Sequence, residues 1–524
     1  MALTGGHSLP VLGWPWWSQN NKIGGVQQTF SSSQQGTLAF QEFENWLDSQ
    51  SSFAFESLIH NIGGYGPDLE DGVLKGMPIA SPSKIDPDYY YYWVRDSAIT
   101  ANTLVLSFAD QYNSTIRDIL LNYIESCFLI QRIDNPSGTF ENLNGLGEPK
   151  FLVNGSAFNR VWGRPQRDGP ALRAMSVMNF ITAELRHNRS ASYRDFEDTY
   201  YRVVKPDLDY TAQKWHLPGF DLWEEINGLH FFTLMVQQKA LSLGAHFALT
   251  FGDTDACNDY IIGSETIQAF LTENFWSEGN NYLIETLHPQ RYGRSGLDSA
   301  VLIAALQVLP RDINESYDVE FTSDSKARYE HLLFEPYSEK MIATLQMLIY
   351  DMETRYPINL RRLNEFKNAP QGYKNKVGVG IGRYPEDIYD GLGQSLGNPW
   401  FITTAAVAQS VYSIAGYLES QDEWFVLNTT DRPLLAPFFN QFVNETDFAL
   451  SREDSEYDAL VRNLIVYGDS FMDVVREHVS NEGDMSEQFS RYDGYMKGAE
   501  RLTWSYGSLW TASRERRLLK TRLV

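Results

Sequence analysis

The chain has 524 residues, of which 43% are hydrophobic and 14% aromatic, and its formal net charge is −24 at pH 7. Such an acidic surplus repels nucleic acids and acidic membranes, so we expect neither as a partner, whereas a neutral polymer remains acceptable. The two cysteines, Cys127 and Cys257, are too few for a disulfide framework or a cysteine-based metal site. The sequence leaves open whether they pair with each other.

Residues 1–38 are rich in Gly, Ser, Gln and Trp and show no helical period. We predict that they form an irregular or β-containing extension that lies on the main body. They contain no basic segment followed by an unbroken apolar run, so no intact signal peptide is evident, and no run of 18 apolar residues predicts a membrane span. Six glycosylation sequons nevertheless favour the secretory pathway, with an extracellular, vacuolar or cell-wall destination. They begin at Asn113, Asn154, Asn188, Asn314, Asn428 and Asn444.

From about residue 39 onward the spacing of apolar residues predicts a helical chain. Some segments are amphipathic, such as 455–479, and others are apolar on nearly every face, such as 228–249, so we expect outer and inner helices. The absence of a strand and helix alternation disfavours a TIM barrel. The twelve predicted helices cover residues 39–61, 95–110, 114–133, 170–187, 193–216, 228–249, 257–275, 293–308, 325–354, 400–419, 455–479 and 497–517.

Long loops rich in Gly, Pro and aromatic residues lie between alternate helices. Loops of this length in a compact chain usually have a function, and their aromatic content is not that of disordered segments. We therefore predict a ring of helix pairs whose long loops share one rim and line one pocket. The loops span residues 62–94, 134–169, 217–227, 276–292, 355–399 and 480–496.

Two carboxylate-bearing stretches are the strongest candidates for chemistry. The first runs from Gly219 to Gly228 and carries Asp221, Trp223, Glu224 and Glu225. An aromatic ring stacks on the C–H face of a sugar while carboxylates bind hydroxyls and transfer protons, so this stretch suits a wall of a sugar pocket. Adjacent acids on an extended segment point in different directions, so one could act in catalysis and the other hold a hydroxyl, unless both are simply solvated.

The second carboxylate stretch, Ser486 to Gln488, contains Glu487, which by itself resembles a solvated loop acid. Two further segments offer polar groups beside aromatic rings. Arg95 and Asp96 follow the run that begins at Tyr89, and they could hold neighbouring sugar hydroxyls or could serve a helix start and an unrelated ion pair. In the segment 162–170, Trp162 is a candidate for ligand stacking, and the charged pair after it is typical of a turn and helix cap.

Several stretches resemble the signature segments of fungal glucoamylases of the yeast type, glycoside hydrolase family 15. They occur in the family's order across residues 79–510 and read SPSKIDPDYYYYWVRDSA, WGRPQRDGPALRA, GFDLWEEINGLHFFT, IGRYPEDIYDG with GNPWF, and SEQFSRYDGY with LTWSY. The resemblance implies an all-α fold, an (α/α)6 barrel, which agrees with the predicted helix pairs. It further implies that residues 39–524 form the catalytic barrel without a starch-binding domain.

The resemblance also implies roles for individual residues. Glu224 matches the general acid, Glu487 the general base that activates water, and Asp221 a residue proposed to assist catalysis. The positions that match the first sugar subsites are Arg95, Asp96, Tyr89, Trp162, Trp223, Leu222, Glu225 and Arg383. We expect inversion at the anomeric carbon, with the two catalytic carboxyl groups about 6.5–9.5 Å apart. In that expectation Glu224 is held protonated and Glu487 ionised.

The implied activity is that of an exo-acting glucan 1,4-α-glucosidase that acts on starch, glycogen or maltooligosaccharides. We expect a monomer whose partner is the α-glucan substrate, with no metal or organic cofactor. The alternatives are another family-15 activity, on trehalose or dextran-type glucans, and a carbohydrate-binding protein without catalysis. The second alternative is disfavoured because both candidate carboxylates are present, and a metal-dependent cyclase is disfavoured because the chain has no DDxxD sequence.

Overall fold

The computed structural model describes residues 32–67, 69–309, 334–367, 377–421, 425–427, 430, 432–443 and 447–522. Most of the predicted N-terminal extension, residues 1–31, lies outside the described residues, so its conformation and packing stay a prediction. The first helix begins at Ser32, several residues before the boundary that the composition predicted.

The described part of the chain is built mainly from helices, of which twelve are labelled in chain order. A short helix, Glu197–Thr199, and a π-helix, Tyr200–Val204, lead directly into the fifth. The helices are α1 Ser32–His60, α2 Val94–Asp110, α3 Ser114–Gln131, α4 Asp168–His187, α5 Lys205–Lys214, α6 Phe231–Thr250, α7 Thr254–Asn274, α8 Ala300–Val308, α9 Glu339–Arg355, α10 Phe401–Ser420, α11 Ser455–His478 and α12 Thr503–Arg522.

The even-numbered helices form a closed inner ring. Contacts run from α2 to α4, α6, α8, α10 and α12, and α12 packs back on α2. Outside this ring, α1 packs on α12, α3 on α2, α5 on α4, α7 on α6 and α11 on α10. The protein is therefore an (α/α)6 barrel of the all-α class, as predicted.

Burial explains why the inner helices have apolar residues on nearly every face. In the inner helix α10, sixteen of the residues from Phe401 to Leu418 are buried. This helix is the one among the described residues that is long and apolar enough to cross a membrane, but 89% of the relevant stretch is buried inside the barrel. The outer helix α11 instead carries Arg462 on its exposed side, as an amphipathic helix does.

Five short two-stranded ladders brace the loops of the described chain. Because both strands of each ladder lie in loops, they fix loop conformation and do not form a larger sheet. All five are antiparallel, and they pair β1 Tyr92–Trp93 with β2 Lys150–Phe151, β3 Gly219–Phe220 with β4 Asn227–Gly228, β5 Trp276–Ser277 with β6 Tyr282–Leu283, β7 Phe425–Leu427 with β8 Phe448–Leu450, and β9 Gln488–Phe489 with β10 Met496–Lys497.

Three details differ from the sequence prediction or complete it. A helix, Pro357–Lys367, lies inside the predicted loop 355–399. The prediction missed it because the segment is basic and has few apolar residues, although Ile358 and Leu363 pack against the core. Helix α8 begins at Ala300 and not at 293, because the carboxylate of Asp298 accepts the Ala300 N–H and so marks the helix start. Both cysteines are buried and unpaired.

The inner helices share a direction that places one kind of terminus at each end of the barrel. The N-terminal ends of α2, α10 and α12, together with the segment before α6, line one pocket. The C-terminal halves of α10 and α12 and the residue after α8 line a separate cavity. The predicted common rim of the long loops is therefore the N-terminal end of the inner ring.

Candidate active site

A pocket of about 690 Å³, including solvent at its mouth, opens at the N-terminal rim of the inner ring. The buried side chains of the inner helices fill the barrel below it, so the pocket is blind. Aromatic rings and charged groups form its wall. The lining residues are Ala80, Tyr89, Trp93, Arg95, Asp96, Leu222, Trp223, Glu224, Glu225, Arg383, Tyr389, Trp400, Ile402, Glu487, Leu502 and Trp504.

Glu224 lies in the tight loop between β3 and β4. The loop backbone closes on itself, since the Glu224 N–H donates to the Asp221 carbonyl at 3.0 Å and the Asp221 N–H donates to the Ile226 carbonyl at 2.9 Å. Glu224 has a φ of 66°, a left-handed conformation that costs energy for a residue with a Cβ. The surrounding hairpin thus holds the Glu224 side chain in a specific direction.

The carboxylate of Glu224 has a defined set of donors. Its Oε1 accepts hydrogen bonds from Trp93 Nε1 at 2.7 Å and from Gln166 Nε2 at 2.8 Å. Arg95 Nη2 lies 3.7 Å from the same oxygen. Because all three contacts use Oε1, the second oxygen of this partly exposed side chain is left for a group in the pocket.

The described contacts of Asp221 are with the backbone of its own loop, and its predicted part in catalysis stays a prediction. Its side chain is 1% exposed and does not line the pocket. Asp221 Oδ1 accepts the backbone N–H groups of Glu225 and Ile226, both at 2.7 Å. These bonds close the turn that carries Glu224, so Asp221 stabilises the backbone of that loop.

Glu487 precedes β9 on the opposite wall and is 2% exposed. Its Oε1 accepts a hydrogen bond from the Tyr89 hydroxyl at 2.9 Å, and its Oε2 accepts one from Gln488 Nε2 at 3.2 Å. Burial raises the pKa of Glu487 to about 7, although the Tyr89 hydrogen bond and the charge of Arg383 oppose that rise. The prediction that Glu487 is ionised therefore applies only above that pH.

An aromatic pair separates the two carboxylates. The rings of Tyr89 and Trp93 have centroids 5.5 Å apart, and each ring donates to a different acid, Tyr89 to Glu487 and Trp93 to Glu224. The two carboxylates consequently belong to different walls of the pocket. Both carboxylates line the same pocket.

Arg95 and Asp96 lie in the first turn of α2, and their contacts fit both interpretations of the sequence, the structural one and the ligand-binding one. Arg95 Nη1 is used by structural partners, Gln166 at 2.7 Å and Asp168 at 3.1 Å. Arg95 Nε and Asp96 Oδ2 are 3.4 Å apart, yet both atoms are buried without a hydrogen bond. Burial raises the pKa of Asp96 to about 6, against the effect of the Arg95 charge. The two atoms form an ion pair but no hydrogen bond among the described residues, so both are suited to hydroxyl groups of a ligand.

Arg383 and Glu225 form an ionic network on another side of the pocket. Arg383 donates to Glu225 at 2.9 Å and to both oxygens of Asp387 at 2.6 and 2.9 Å. Arg294 and the Tyr384 hydroxyl contact the other oxygen of Glu225. Burial alone would raise the pKa of Glu225, but the charges of Arg383 and Arg294 hold it below its usual value. Glu225 is therefore an acceptor fixed in its ionised form.

The structure brings nine of the eleven predicted site residues to the pocket lining, all except Asp221 and Trp162. Trp162 lies behind the pocket-lining Trp93, and the two rings meet edge to face with centroids 6.0 Å apart. The charged pair after it is structural, as predicted, since Arg167 contacts Tyr210 at 2.8 Å and Asp168 pairs with Arg95.

Sequence reasoning did not select several residues that contribute to the site. Gln166 contacts Glu224 from within a segment that the sequence predicts to be a turn. The others on the pocket wall are aromatic residues of the motif-bearing segments. Selecting every aromatic residue of those segments would have identified them. They are Trp93, Tyr389, Trp400 and Trp504.

Among the described residues no group of three or more His, Cys, Asp or Glu side chains could hold a metal ion. The site instead combines acids on separate walls, two arginines and stacked rings. This set can transfer protons and hold a polyhydroxylated ring without further groups, which is the chemistry of glycoside hydrolysis.

Comparisons with known proteins agree with this chemistry. The family model for glycosyl hydrolases family 15 matches residues 56–514. A glucoamylase from Saccharomycopsis fibuligera is 36% identical, over 91% of this chain and 91% of its own length. The intracellular sporulation-specific glucoamylase of Saccharomyces cerevisiae is 32% identical, over 90% of this chain and 83% of its own.

A solved structure extends the agreement to the fold. The glucoamylase structure from Saccharomycopsis fibuligera superposes with a TM-score of 0.79 and 35% identity, and the match covers 91% of this chain and 96% of that one. The family model includes both carboxylate-bearing walls of the pocket. The chain belongs to glycosyl hydrolases family 15 and is a glycoside hydrolase.

Proposed function

We propose that the protein is an exo-acting glucan 1,4-α-glucosidase, which releases glucose from the non-reducing ends of starch, glycogen and maltooligosaccharides. The observation that carries the proposal is a blind pocket with Glu224 and Glu487 on separate walls. A blind pocket admits a chain end and not the middle of a chain, so hydrolysis proceeds from the end. Membership of the family and the glucoamylases among its relatives support an α-glucan as the substrate.

In this mechanism Glu224 is the general acid and Glu487 the general base. Glu224 protonates the glycosidic oxygen through Oε2, the carboxyl oxygen to which the described residues give no hydrogen bond. Glu487 removes a proton from a water that attacks the anomeric carbon from the opposite side. The base has to be ionised, so activity requires a pH at which Glu487 has lost its proton despite its raised pKa.

The remaining polar groups position the terminal glucose. Arg95 Nε and Asp96 Oδ2, which form an ion pair but no hydrogen bond among the described residues, offer a donor and an acceptor. Arg383 and Glu225 offer a fixed cation and a fixed anion on the far side, and Trp223 and Trp400 supply ring surfaces. Binding that places the reacting atoms correctly contributes to the rate as well as to affinity.

The stereochemistry of the first product tests the mechanism. Proton NMR of maltoheptaose hydrolysis, recorded before mutarotation, should show β-glucose first and a series of oligosaccharides each shortened by one unit. α-Glucose as the first product would contradict the role of Glu487 as base, and a mixture of internal fragments would contradict the exo mode. Rates on trehalose or isomaltose above the rate on maltose would favour the alternative family-15 activities.

We also propose that the protein is a glycoprotein of the secretory pathway, with an extracellular, vacuolar or cell-wall destination. Three sequon asparagines are exposed, and each accepts the N–H of its own Ser or Thr on Oδ1, from Thr115 to Asn113 at 2.9 Å, from Ser156 to Asn154 at 3.0 Å and from Ser190 to Asn188 at 3.2 Å. Asn314, Asn428 and Asn444 lie outside the described residues. A mass decrease on treatment with peptide N-glycosidase supports this proposal, and an unchanged mass of protein from the native host contradicts it.

For the assembly we propose a monomer that acts on the glucan without nucleic acid or membrane. The net charge of −24 supports the absence of nucleic acid and acidic membrane as partners, because it opposes association with both. Light scattering after gel filtration should give the mass of one chain plus its glycans. A mass of two chains would contradict the proposal.

A further inference from the structure

Lys150 lies directly behind the acid-bearing wall and has no part in the mechanism described above. It is 2% exposed, which is uncommon for a lysine. It sits on β2, in register with Trp93 of β1. None of the ion pairs formed among the described residues includes Lys150, so its buried charge has to be stabilised in another way.

Four aromatic rings surround the Lys150 ammonium group. Its Nζ lies 3.6 Å from the ring centroid of Trp162, 4.0 Å from Tyr91, 4.1 Å from Trp93 and 4.6 Å from Phe158. All four distances are within the range of a cation–π interaction, which is strongest where water is excluded.

The four rings also contact one another in a closed circle, the aromatic cage. Tyr91 meets Trp93 at 6.0 Å, Trp93 meets Trp162 at 6.0 Å, Trp162 meets Phe158 at 5.8 Å, and Phe158 meets Tyr91 at 5.3 Å. Every contact is edge to face. Rings that share one central cation and touch both neighbours have little freedom to turn, so the cage fixes the plane of each indole.

One ring of the cage reaches the catalytic carboxylate. Trp93 Nε1 donates to Glu224 Oε1 at 2.7 Å. A cation over an indole withdraws electron density from the ring and makes its N–H a stronger donor. The orientation and strength of this hydrogen bond therefore depend on the occupied cage.

We propose that Lys150 is a positioning residue, which acts through the aromatic cage and Trp93 to hold Glu224 in the orientation needed for proton donation. The inference rests on the proposed role of Glu224 as general acid. It assigns a function to Trp162 as well, since this ring contributes to the acid through the cage and not by lining the pocket.

The ammonium group carries its charge over the acidic and neutral pH range. Burial lowers the pKa of Lys150 to about 8, while the negative charges of Glu224 and Asp88 partly oppose that decrease. The cage is thus occupied by a cation below that pH. The charge on Lys150 is therefore present in the pH range between about 7, above which Glu487 is ionised, and about 8.

The test compares two substrates that differ in their need for the acid. Maltose has to be protonated as its glycosidic bond breaks, whereas fluoride leaves α-glucosyl fluoride with little protonation. Lys150→Met keeps the length of the side chain and removes the charge, so we expect kcat on maltose to fall about tenfold with KM within about twofold. On α-glucosyl fluoride kcat should change by less than about threefold.

A matched control and a double variant test whether Lys150 acts through Glu224. Lys84 is exposed and stacks on the single ring of Tyr90 at 4.2 Å, so Lys84→Met should leave both rates unchanged. In a Glu224→Gln background, adding Lys150→Met should cause no further loss on maltose, because the residue it acts through is already disabled. Lys150→Arg should restore part of the rate, since it returns a cation.

The outcomes separate this inference from the proposed function. Equal losses on both substrates, an unchanged maltose rate in folded Lys150→Met, or additive losses in the double variant would each overturn the role of Lys150. A Glu224→Gln protein with undiminished activity would instead overturn the proposed function. If Lys150→Met does not fold, Phe158→Leu opens the cage away from Glu224 and should show the same substrate dependence at about threefold, and its absence overturns the inference.

Discussion

The two walls that carry the proposed acid and base, the Glu224 wall and the Glu487 wall, place the same functional group in different environments. Glu224 sits at a left-handed position of a hairpin, with 19% of its side chain exposed, and its single engaged oxygen accepts from an indole and an amide. Glu487 is 2% exposed, has both oxygens engaged, and has its pKa raised to about 7 by burial.

Backbone constraint and burial are therefore two separate ways to adapt a carboxylate to proton transfer. The Glu224 wall fixes the orientation of the carboxylate, because the left-handed backbone and two donors to Oε1 leave Oε2 for a group in the pocket. The Glu487 wall controls solvation, because a carboxylate stripped of water is a stronger base toward an attacking water molecule. Proton donation to a leaving group and proton removal from water need these different properties.

Removing either carboxyl group should have the largest effect and should expose the contrast. Glu224→Gln and Glu487→Gln should each lower kcat on maltose by about 10²–10⁴. With α-glucosyl fluoride, Glu224→Gln should recover most of its rate because the acid is not needed, whereas Glu487→Gln should not. Recovery by both variants, or by neither, would show that the two walls do not have distinct roles.

The packing of the Glu487 wall should be sensitive to one methyl group. Gly498 has a φ of 71°, and a Cβ at this position would lie 2.2 Å from Glu487 Oε2. Gly498→Ala should displace the base and lower kcat by about 10–100-fold on both substrates. Gly252→Ala is a matched control, since Gly252 has a φ of 76° but open space around it. Equal kinetics of the two variants would contradict the close contact.

The role of Asp221 should be resolved by two replacements. Asp221→Asn keeps an oxygen that can accept the two loop N–H groups, so its kcat should stay within about threefold of the wild type. Asp221→Ala leaves those groups unpaired and should lower kcat about tenfold together with the melting temperature. A loss in Asp221→Asn as large as in Glu224→Gln would return Asp221 to a direct catalytic role.

The smallest effect should be a shift in pH dependence on the Glu487 wall. The Tyr89 hydroxyl donates to the ionised carboxylate and so opposes the rise in its pKa. Tyr89→Phe removes that bond, raises the pKa of Glu487 further, and should move the acidic limb of the kcat/KM profile up by about 0.5–1 pH unit. Tyr91→Phe is the control, since its hydroxyl donates to Asp88. A limb that stays in place or moves down would contradict the assignment of the base.

Much of the fold follows from local patterns. Helices α2, α3, α4, α10 and α11 begin and end close to the predicted residues, because apolar spacing and helix ends are local signals. The helix Pro357–Lys367 was missed because a charged surface helix with few apolar residues resembles a loop. The N-terminal extension is still a prediction.

The sequence predicts Glu224 and Glu487 as acid and base through the resemblance of two short segments to family motifs. The surroundings of both carboxylates depend on the folding of the whole chain. Glu487 meets Tyr89 across 398 positions and Glu224 meets Trp93 across 131, so closure of the helix ring creates these hydrogen bonds. The pKa of a carboxyl group and the orientation of a ring depend on burial and on partners from distant segments, which no local pattern contains. For that reason no motif showed that Asp221 bonds to the backbone of its own loop or that Trp162 packs against Trp93 and Phe158.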